Sequence, residues 1–511
     1  MKKSLLAVAV IVAVGAVWTG ASWYTGKQIE QRIDEFTRQA NEQMQVSAPT
    51  AGLKLVHQDY QRGLFSSQVR YVLQFGDKTD RQTSEQSIEF NETISHGPFP
   101  LAQLKRFNFI PSLASVHSEL ANTPLVSKLF ELTNNAPFLQ ADTRLSWQGD
   151  MDSHITLLPL KQEQGKEAGL EFSGATLQVS TKNDLSEGTL SAAFDHLQLV
   201  NKNDWGEQEK ILLNKLSVDS VAHKGKFDVS LGETKISLGE IAMIAEGDTD
   251  LRLKGLTSTG TLTEDETSLN GQVVTTLASM SINKRDFGDL SSTVKYGPLD
   301  GKNTQQFMTQ YRQQLKQVMQ AGDVNGQASW AALFDNLPLL LKSSPTLSIA
   351  PFKWKNSKGE STLNLTLTLT DPASSPLPAD TPAATPTEQL IRRALKNFDV
   401  NLTISPEMLT EFLYQGGLLS EPDNEPAVRQ QAAQNVQQLT AMGQSNNLLT
   451  VKDNMLTSSL KYTDGVFDLN GNKFPLSQVT QLLGQFSFGG AAPMAEPESE
   501  PDAAPQQQPA E

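Results

Sequence analysis

The chain has 511 residues, 38% of them hydrophobic, with a formal net charge of −15 and a pI near 5.0. That length allows two or three domains with packed cores, and that hydrophobic share excludes a multi-span membrane protein. The acidic balance argues against nucleic acid, which needs clustered Lys and Arg, and the lack of any cysteine removes disulfides, thiolate metal sites, cysteine nucleophiles and a cysteine-linked lipid anchor together.

Residues 4–26 read SLLAVAVIVAVGAVWTGASWYTG without one charged side chain. As a helix rising ~1.5 Å per residue the run spans ~34 Å, enough for a hydrocarbon core of ~30 Å. Lys2 and Lys3 mark residues 1–3 as a cytoplasmic stub, and Trp18, Trp23 and Tyr24 suit the headgroup layer at the outer end. The expectation is a single-pass anchor in a bacterial inner membrane, with the bulk of the chain periplasmic. A disulfide-free exported chain fits that compartment. A cleaved signal peptide is the competing reading, with Leu5 to Val14 as its apolar region and Gly20, Ala21 and Ser22 as a weak cleavage site. The length of the uncharged run and the missing Ala-x-Ala spacing favour retention.

Residues 27–48 predict an amphipathic juxtamembrane helix, because Ile29, Ile33, Phe36, Ala40 and Met44 recur at spacings of three and four. The stretch is too short for sustained heptads, which favours packing on its own domain over a self-paired coiled coil. Residues 53–370 predict a β-rich ectodomain. Val69, Tyr71, Leu73 and Phe75 alternate as in a strand, and Ser87 to Ile94 is another. Helical insertions are expected near 100–132 and 303–341. In the first, Leu101, Leu104 and Phe107 share a helical face after Pro100, and Ser115 to Leu132 reads as two short helices.

From Asp142 to about Asp300 the pattern is almost entirely β. Leu197 and Leu199, Phe227, Val229 and Leu231, and Ile236 and Leu238 define one apolar face, and the other face is polar. The short polar turns between them predict a long antiparallel sheet, barrel or sandwich. In the second insertion Phe307, Tyr311, Leu315, Val318 and Met319 form a helical stripe, and Ala328 to Leu341 is a strongly apolar helix bent or ended near Pro338. Leu363, Leu365, Leu367 and Leu369 alternate in a half-buried strand. Residues 371–387 are a Pro-rich linker or loop. Residues 388–484 predict a smaller α+β region with a helix opening at Ser405-Pro406, a β-meander from Leu448 to Leu469 and a last helix over Phe474 to Leu483. Residues 489–511 have too little apolar surface to fold and form an acidic tail. The fold class expected is α+β: one transmembrane helix, then a long antiparallel sheet with packing helices.

The stretches HGPFPLAQLK (His96 to Lys105), RGLFSSQ (Arg62 to Gln68), PFKWKNSKGES (Pro351 to Ser361) and LKYTDGVFDLNGNKFPL (Leu460 to Leu476) resemble the YdgA family of bacterial envelope proteins. The resemblance covers nearly the whole chain. It implies an anchored envelope protein and transfers no catalytic residue, since the family lacks an assigned activity.

Reaction motifs are sparse. No two of the six histidines, His57, His96, His117, His154, His196 and His223, form a helical ligand pair. Asp150, Asp152 and His154, Asp248 and Asp250, and Asp468, Asn470 and Asn472 each open like a calcium loop. Their twelfth positions are Lys161, Thr259 and Val479, not the acid that such a loop needs, so all three read as turns. Ser292-x-x-Lys295 and Ser458-x-x-Lys461 match a penicillin-binding motif that needs a shared helix face. Both fall in predicted strands, where i and i+3 point apart. No catalytic, cofactor or metal residue is assigned. The leading expectation is a non-enzymatic envelope protein that binds a partner protein or organises the envelope. The alternatives are a carrier of lipid or another apolar ligand in a sheet groove, and a hydrolase with converging carboxylates.

Overall fold

The computed structural model describes residues 2–47, 52–75, 86–164, 168–202, 206–245, 249–320, 327–375, 386–463 and 465–478. The side chains of residues 1–16 lie outside that description, as do most of the expected 371–387 loop, the end of the expected 474–483 helix and the 489–511 tail.

A helix α1 (Lys2–Ser47) opens the chain. It runs without a break through the predicted anchor and the predicted juxtamembrane helix, which are one element. Among the described residues no helix is long and apolar enough to cross a membrane. Three strands follow, β1 (Lys54–Arg62), β2 (Ser66–Phe75) and β3 (Gln86–His96), then the single turn α2 (Leu101–Leu104). The first part of the segment expected to hold two short helices is instead strand β4 (Ala114–Leu120), and only α3 (Ser127–Leu132) is helical. Ala114, Val116 and Leu120 pair with His96, Ile94 and Phe90 of β3, so tertiary pairing overrides the local helical spacing.

The sheet continues through β5 (Leu139–Leu145), β6 (Met151–Leu157), the hairpin β7 (Leu160–Gln164) and β8 (Ala168–Phe172), and β9 (Ala175–Thr181). Six long strands come next: β10 (Glu187–Lys202), β11 (Gln208–Lys224), β12 (Ser230–Ala245), β13 (Thr249–Glu264), β14 (Ser268–Ile282) and β15 (Arg285–Asp300). At 15 to 17 residues each, and ~3.3 Å per residue, they are ~50 Å long. The helices α4 (Gly301–Gln320) and α5 (Gln327–Leu341) intervene, with Pro338 inside α5 rather than ending it. Then come β16 (Thr346–Asn356), β17 (Gly359–Leu369), α6 (Pro386–Ala394), β18 (Leu395–Ile404), α7 (Pro406–Ser420) and α8 (Glu425–Ser445). The helix expected at Ser405 opens there, with the Ser405 hydroxyl accepting from the Met408 N–H. Short strands β19 (Thr450–Lys452), β20 (Met455–Thr463), β21 (Val466–Leu469) and β22 (Asn472–Pro475) end the described chain. Phe474 and Pro475, expected in the last helix, lie in β22.

Among the described residues all 22 strands belong to one antiparallel sheet. Nearly every strand pairs with the next in the chain. The exceptions are the β7–β8 hairpin and β19, which leave β6 on β9 and β18 on β20. β17 pairs with β18, so the strands on either side of residues 371–387 share one sheet.

One row interrupts the long strands. Asp195, Lys215, Gly239, Gly255 and Ala278 sit opposite one another on β10 to β14 and drop out of the pairing. Lys215 (φ 56°) and Gly255 (φ 63°) are left-handed. A Cβ added at Gly255 would lie 2.8 Å from the Ala278 Cβ, closer than real Cβ atoms approach. Gly255→Val combines that clash with a β-branched residue in the left-handed region, at a cost of roughly 2–4 kcal/mol. Chemical denaturation followed by circular dichroism should show its midpoint well below that of the parent. An unchanged midpoint would mean that this row is not a constrained crease.

Candidate functional site

The residues around the crease explain its position. Before it, the apolar residues of β10 are Leu190, Ala192 and Phe194, and after it they are Leu197 and Leu199. The alternation slips by one. The same slip occurs between Leu213 and Leu216, Leu238 and Ile241, Leu253 and Leu256, and Leu277 and Met280, always at the crease row. A backbone that leaves the extended region once turns the following side chains to the other side. Apolar residues on both halves therefore share one side of the sheet. The aromatic rings agree: Phe172 pairs with Leu197, beyond the crease from Phe194, yet the Phe172 and Phe194 centroids are 6.0 Å apart.

Apolar side chains then run across the strands in rows. One row is Phe194, Leu216, Leu238, Leu256, Leu277, Leu290 and Trp354. Beyond the crease a second is Leu197, Leu213, Ile241, Leu253 and Met280. A third continues to the end of the sheet through Val294, Ile349, Leu365, Val400 and Leu460. The opposite side is polar. Ser191 donates to Asp219 (2.8 Å), and Thr257 meets Thr276 (2.6 Å). Beyond the crease His196, Asn214, Glu240 and Arg252 form one hydrogen-bonded line.

Helices cover the apolar side at its two ends. At the first, α1 sets Ile29 and Ile33 on Val69, Ile94 and Ala114, and α3 sets Val126 and Phe130 on Leu120. At the other, α7 brings Phe412 to 4.8 Å from the Trp354 ring and 5.5 Å from that of Phe287. Between them, among the described residues, the main packing partners of β10 to β14 are other strands. Leu190, Phe194, Leu216, Val218 and Leu256 are only half-buried. A sheet face normally buries its apolar side against a second layer; among the described residues no helix supplies such a layer over β10 to β14. The rows named on that side are apolar and uncharged.

The first cap is locked by a buried cluster. The His96 ring, 2% exposed, lies against Gly26 of α1, where any Cβ would come within 2.4 Å of it. His96 Nε2 is 2.8 Å from the Ser67 hydroxyl, Nδ1 is 3.2 Å from the Leu64 carbonyl, and Tyr60 OH is 3.1 Å from Ser67. Thr25 of α1 donates to the Gly97 carbonyl at 3.1 Å. With Nδ1–H donating to Leu64, Nε2 is left to accept from Ser67, the tautomer a serine base would need. Ser67 is 1% exposed, however, so α1 leaves no room for a substrate and the dyad holds the helix in place.

The other singled-out residues are engaged in structure. Asp150 accepts from the Asn183 N–H, Asp152 from Ser180, and Asp468 from the Gly471 N–H. Asp250 binds Arg252 at 2.7 Å, and Asp248 lies outside the described residues. His57 pairs with Asp34, and His117 with Asp142 and Glu119. Ser292 and Lys295 are in β15, and Ser458 and Lys461 in β20. Among the described residues no group of three metal-ligating side chains converges. Burial raises the Glu92 carboxyl above its usual range, against a hydrogen bond from Ser118.

The family model for bacterial proteins of unknown function, DUF945, matches residues 1–477. The chain belongs to the DUF945 family. It is 36% identical to protein YdgA of Escherichia coli over 498 residues, 96% of this chain and 97% of that one. It is 26% identical to the uncharacterized protein YihF of the same organism, over 94% of this chain and 98% of the relative. An uncharacterized Haemophilus influenzae protein is 23% identical over 60% of this chain and 85% of its own length. No solved structure matches.

Within this DUF945 chain the lock makes stability depend on pH. Burial holds the His96 imidazole below its ordinary 6.5, so the unfolded chain takes up the proton first. The stabilisation is complete above the unfolded value and is lost as pH falls through the folded one. His117 acts in the opposite sense, since burial lowers its pKa but Asp142 and Glu119 outweigh that and raise it. Melting temperatures measured from pH 8 down to 5 should fall more steeply for the parent than for His96→Gln, which shares the His117 contribution. Parallel curves would remove His96 as the source.

Proposed function

We propose that this chain is a membrane-tethered binder of lipid, with acyl chains lying on the apolar side of β10 to β14. The observation that carries the reading is that side itself: rows of Leu, Ile, Phe and Met, most of them half-buried though Leu238 and Leu277 are buried, that continue across strands and slip phase together at the crease. Among the described residues the helices pack on the first strands and from β15 onward, which leaves on β10 to β14 a surface suited to an apolar guest, and contiguous uncovered apolar surface marks a binding site. The uncharged run Ser4 to Gly26 behind Lys2 and Lys3 supports a tether in a bacterial inner membrane, with the sheet on the periplasmic side.

Magnitudes favour a two-chain lipid. At ~0.8 kcal/mol per methylene, an acyl chain of about sixteen carbons gains roughly 13 kcal/mol gross, comparable with the ~4–15 kcal/mol lost on association. A second chain on the same scaffold adds its gain without a second association cost.

A second reading is docking of a partner envelope protein at the far cap. It rests on Leu439 and Met442 of α8 with Leu448 and Val451 just after it, all about half exposed. That reading stands if the sheet proves empty.

Mass spectrometry of the purified full chain should detect copurifying phospholipid. Leu216→Asp and Leu256→Asp should each cut the bound lipid about tenfold or more, since a carboxylate in that row costs several kcal/mol to cover. Thr257→Asp, on the polar side, should retain it. Lipid-free parent protein, or equal loss in all three variants, would overturn the reading.

A further inference from the structure

Residues 97–113 form a loop closed at its neck by two backbone hydrogen bonds, Gly97 N–H to Leu113 O (2.8 Å) and Ser112 N–H to Pro98 O (2.9 Å). Two of its amide side chains turn inward. Gln103, 8% exposed, donates to Ser115 at 3.0 Å and accepts from Asn108 at 2.8 Å. The Asn108 side chain also accepts from the Ile110 N–H. Its large apolar groups turn outward: Phe107 is 83% exposed, Phe109 64% and Ile110 55%. Such an arrangement inverts the usual order of a compact surface loop, which packs on its own apolar side chains.

The backbone is strained to keep this presentation. Phe107 has φ 57°, a left-handed conformation that costs a bulky L-residue about 1–2 kcal/mol and that recurs where a clamp or contact needs it. The loop also has a fixed place relative to α1. Trp18 Nε1 donates to the Phe99 carbonyl at 3.2 Å, and the Trp18 ring lies 5.1 Å from that of Phe65, tilted by 31°. Trp18 marks the point from which α1 continues toward Lys2. Exposed Trp23 and Tyr24 lie one to two turns on, and Lys27 and Arg62 each approach the Trp23 ring at 5.7 Å. Lys105 is exposed on the loop itself.

We propose that the Phe107–Ile110 tip is a wedge that enters the interface of the lipid bilayer beside α1, with Lys105 and Lys27 set against anionic headgroups. The proposal rests on the tether described above but adds a second point of attachment. Aromatic rings and cations arranged this way are what an interfacial element presents. Two attachments fix the tilt of the sheet, where a lone helix would leave it free to swing. They also bring the α1-capped end of the apolar side against the bilayer surface.

The chain has no cysteine, so Phe109→Cys and Ile110→Cys each give one labelling site for an environment-sensitive nitrobenzoxadiazole dye. Ser191→Cys, on the polar side of β10, is the reference. Each labelled full chain is reconstituted into phosphatidylcholine vesicles containing phosphatidylglycerol and isolated by flotation. The proposal expects a blue shift and a severalfold rise in emission at 109 and 110, protection from aqueous iodide and quenching by headgroup-proximal doxyl lipid, with none of these at 191. Chains that float but carry labels at 109 and 110 as iodide-accessible as the label at 191 overturn the wedge and leave the tether standing. Chains that do not float overturn both.

Discussion

Each strand from β9 to β18 is hydrogen-bonded on both edges, and side chains directly opposite one another point the same way. Together these lay the apolar residue of one strand beside that of the next, so a pattern local to each strand becomes a surface tens of ångströms wide. The ladder also binds the pattern to itself. Had one strand slipped by one residue, its leucines would have crossed to the polar side, next to Asp219 or Glu240. The five strands change phase at one row because their neighbours do. Gly239, Gly255 and Ala278 allow this by giving adjacent backbones nothing bulky to meet.

The two ends of this surface are built differently. At the first, closure depends on polar groups removed from water: His96, Ser67, Thr25 and the loop carbonyls at Leu64 and Gly97. Each satisfies another, which ties a long helix to the sheet in one orientation. At the far end closure is aromatic and aliphatic, through Phe412, Trp354 and Phe287, with the Trp354 indole N–H bonded to the Phe287 carbonyl at 2.7 Å. Stability at the first end therefore responds to protonation, and at the other to packing.

The sequence made the sheet legible and its consequences only partly so. Alternation in Leu363 to Leu369 and from Leu190 to Phe194 is enough to read antiparallel strands with one apolar side. Residues 114–120 were harder, because ASVHSEL carries no strict alternation and its strand character comes from pairing with β3 and β5. The crease was hidden, since a single apolar phase shift in one strand looks like noise. It becomes a signal only when register shows five shifts in one row. His96 appeared unaccompanied because Ser67 is 29 residues away, on a strand whose pairing the sequence does not declare. Phe107 reads from sequence as part of a helical face with Leu101 and Leu104, which would set it on a core, whereas it faces solvent. The family relation over residues 1–477 was readable from HGPFPLAQLK and its companions.

The crease also sets a direction of travel. The two halves of the apolar side meet at the unpaired row that runs across the strands, so a guest lying along a strand would have to cross the break in the pairing at Lys215 and Gly255. A guest lying along a row meets no such break: from Phe194 to Trp354 the leucines succeed one another at a spacing of ~4.8 Å per strand. Extended hydrocarbon would then orient from the α1 end toward the α7 end, and the sheet would act less as a pouch than as a rail.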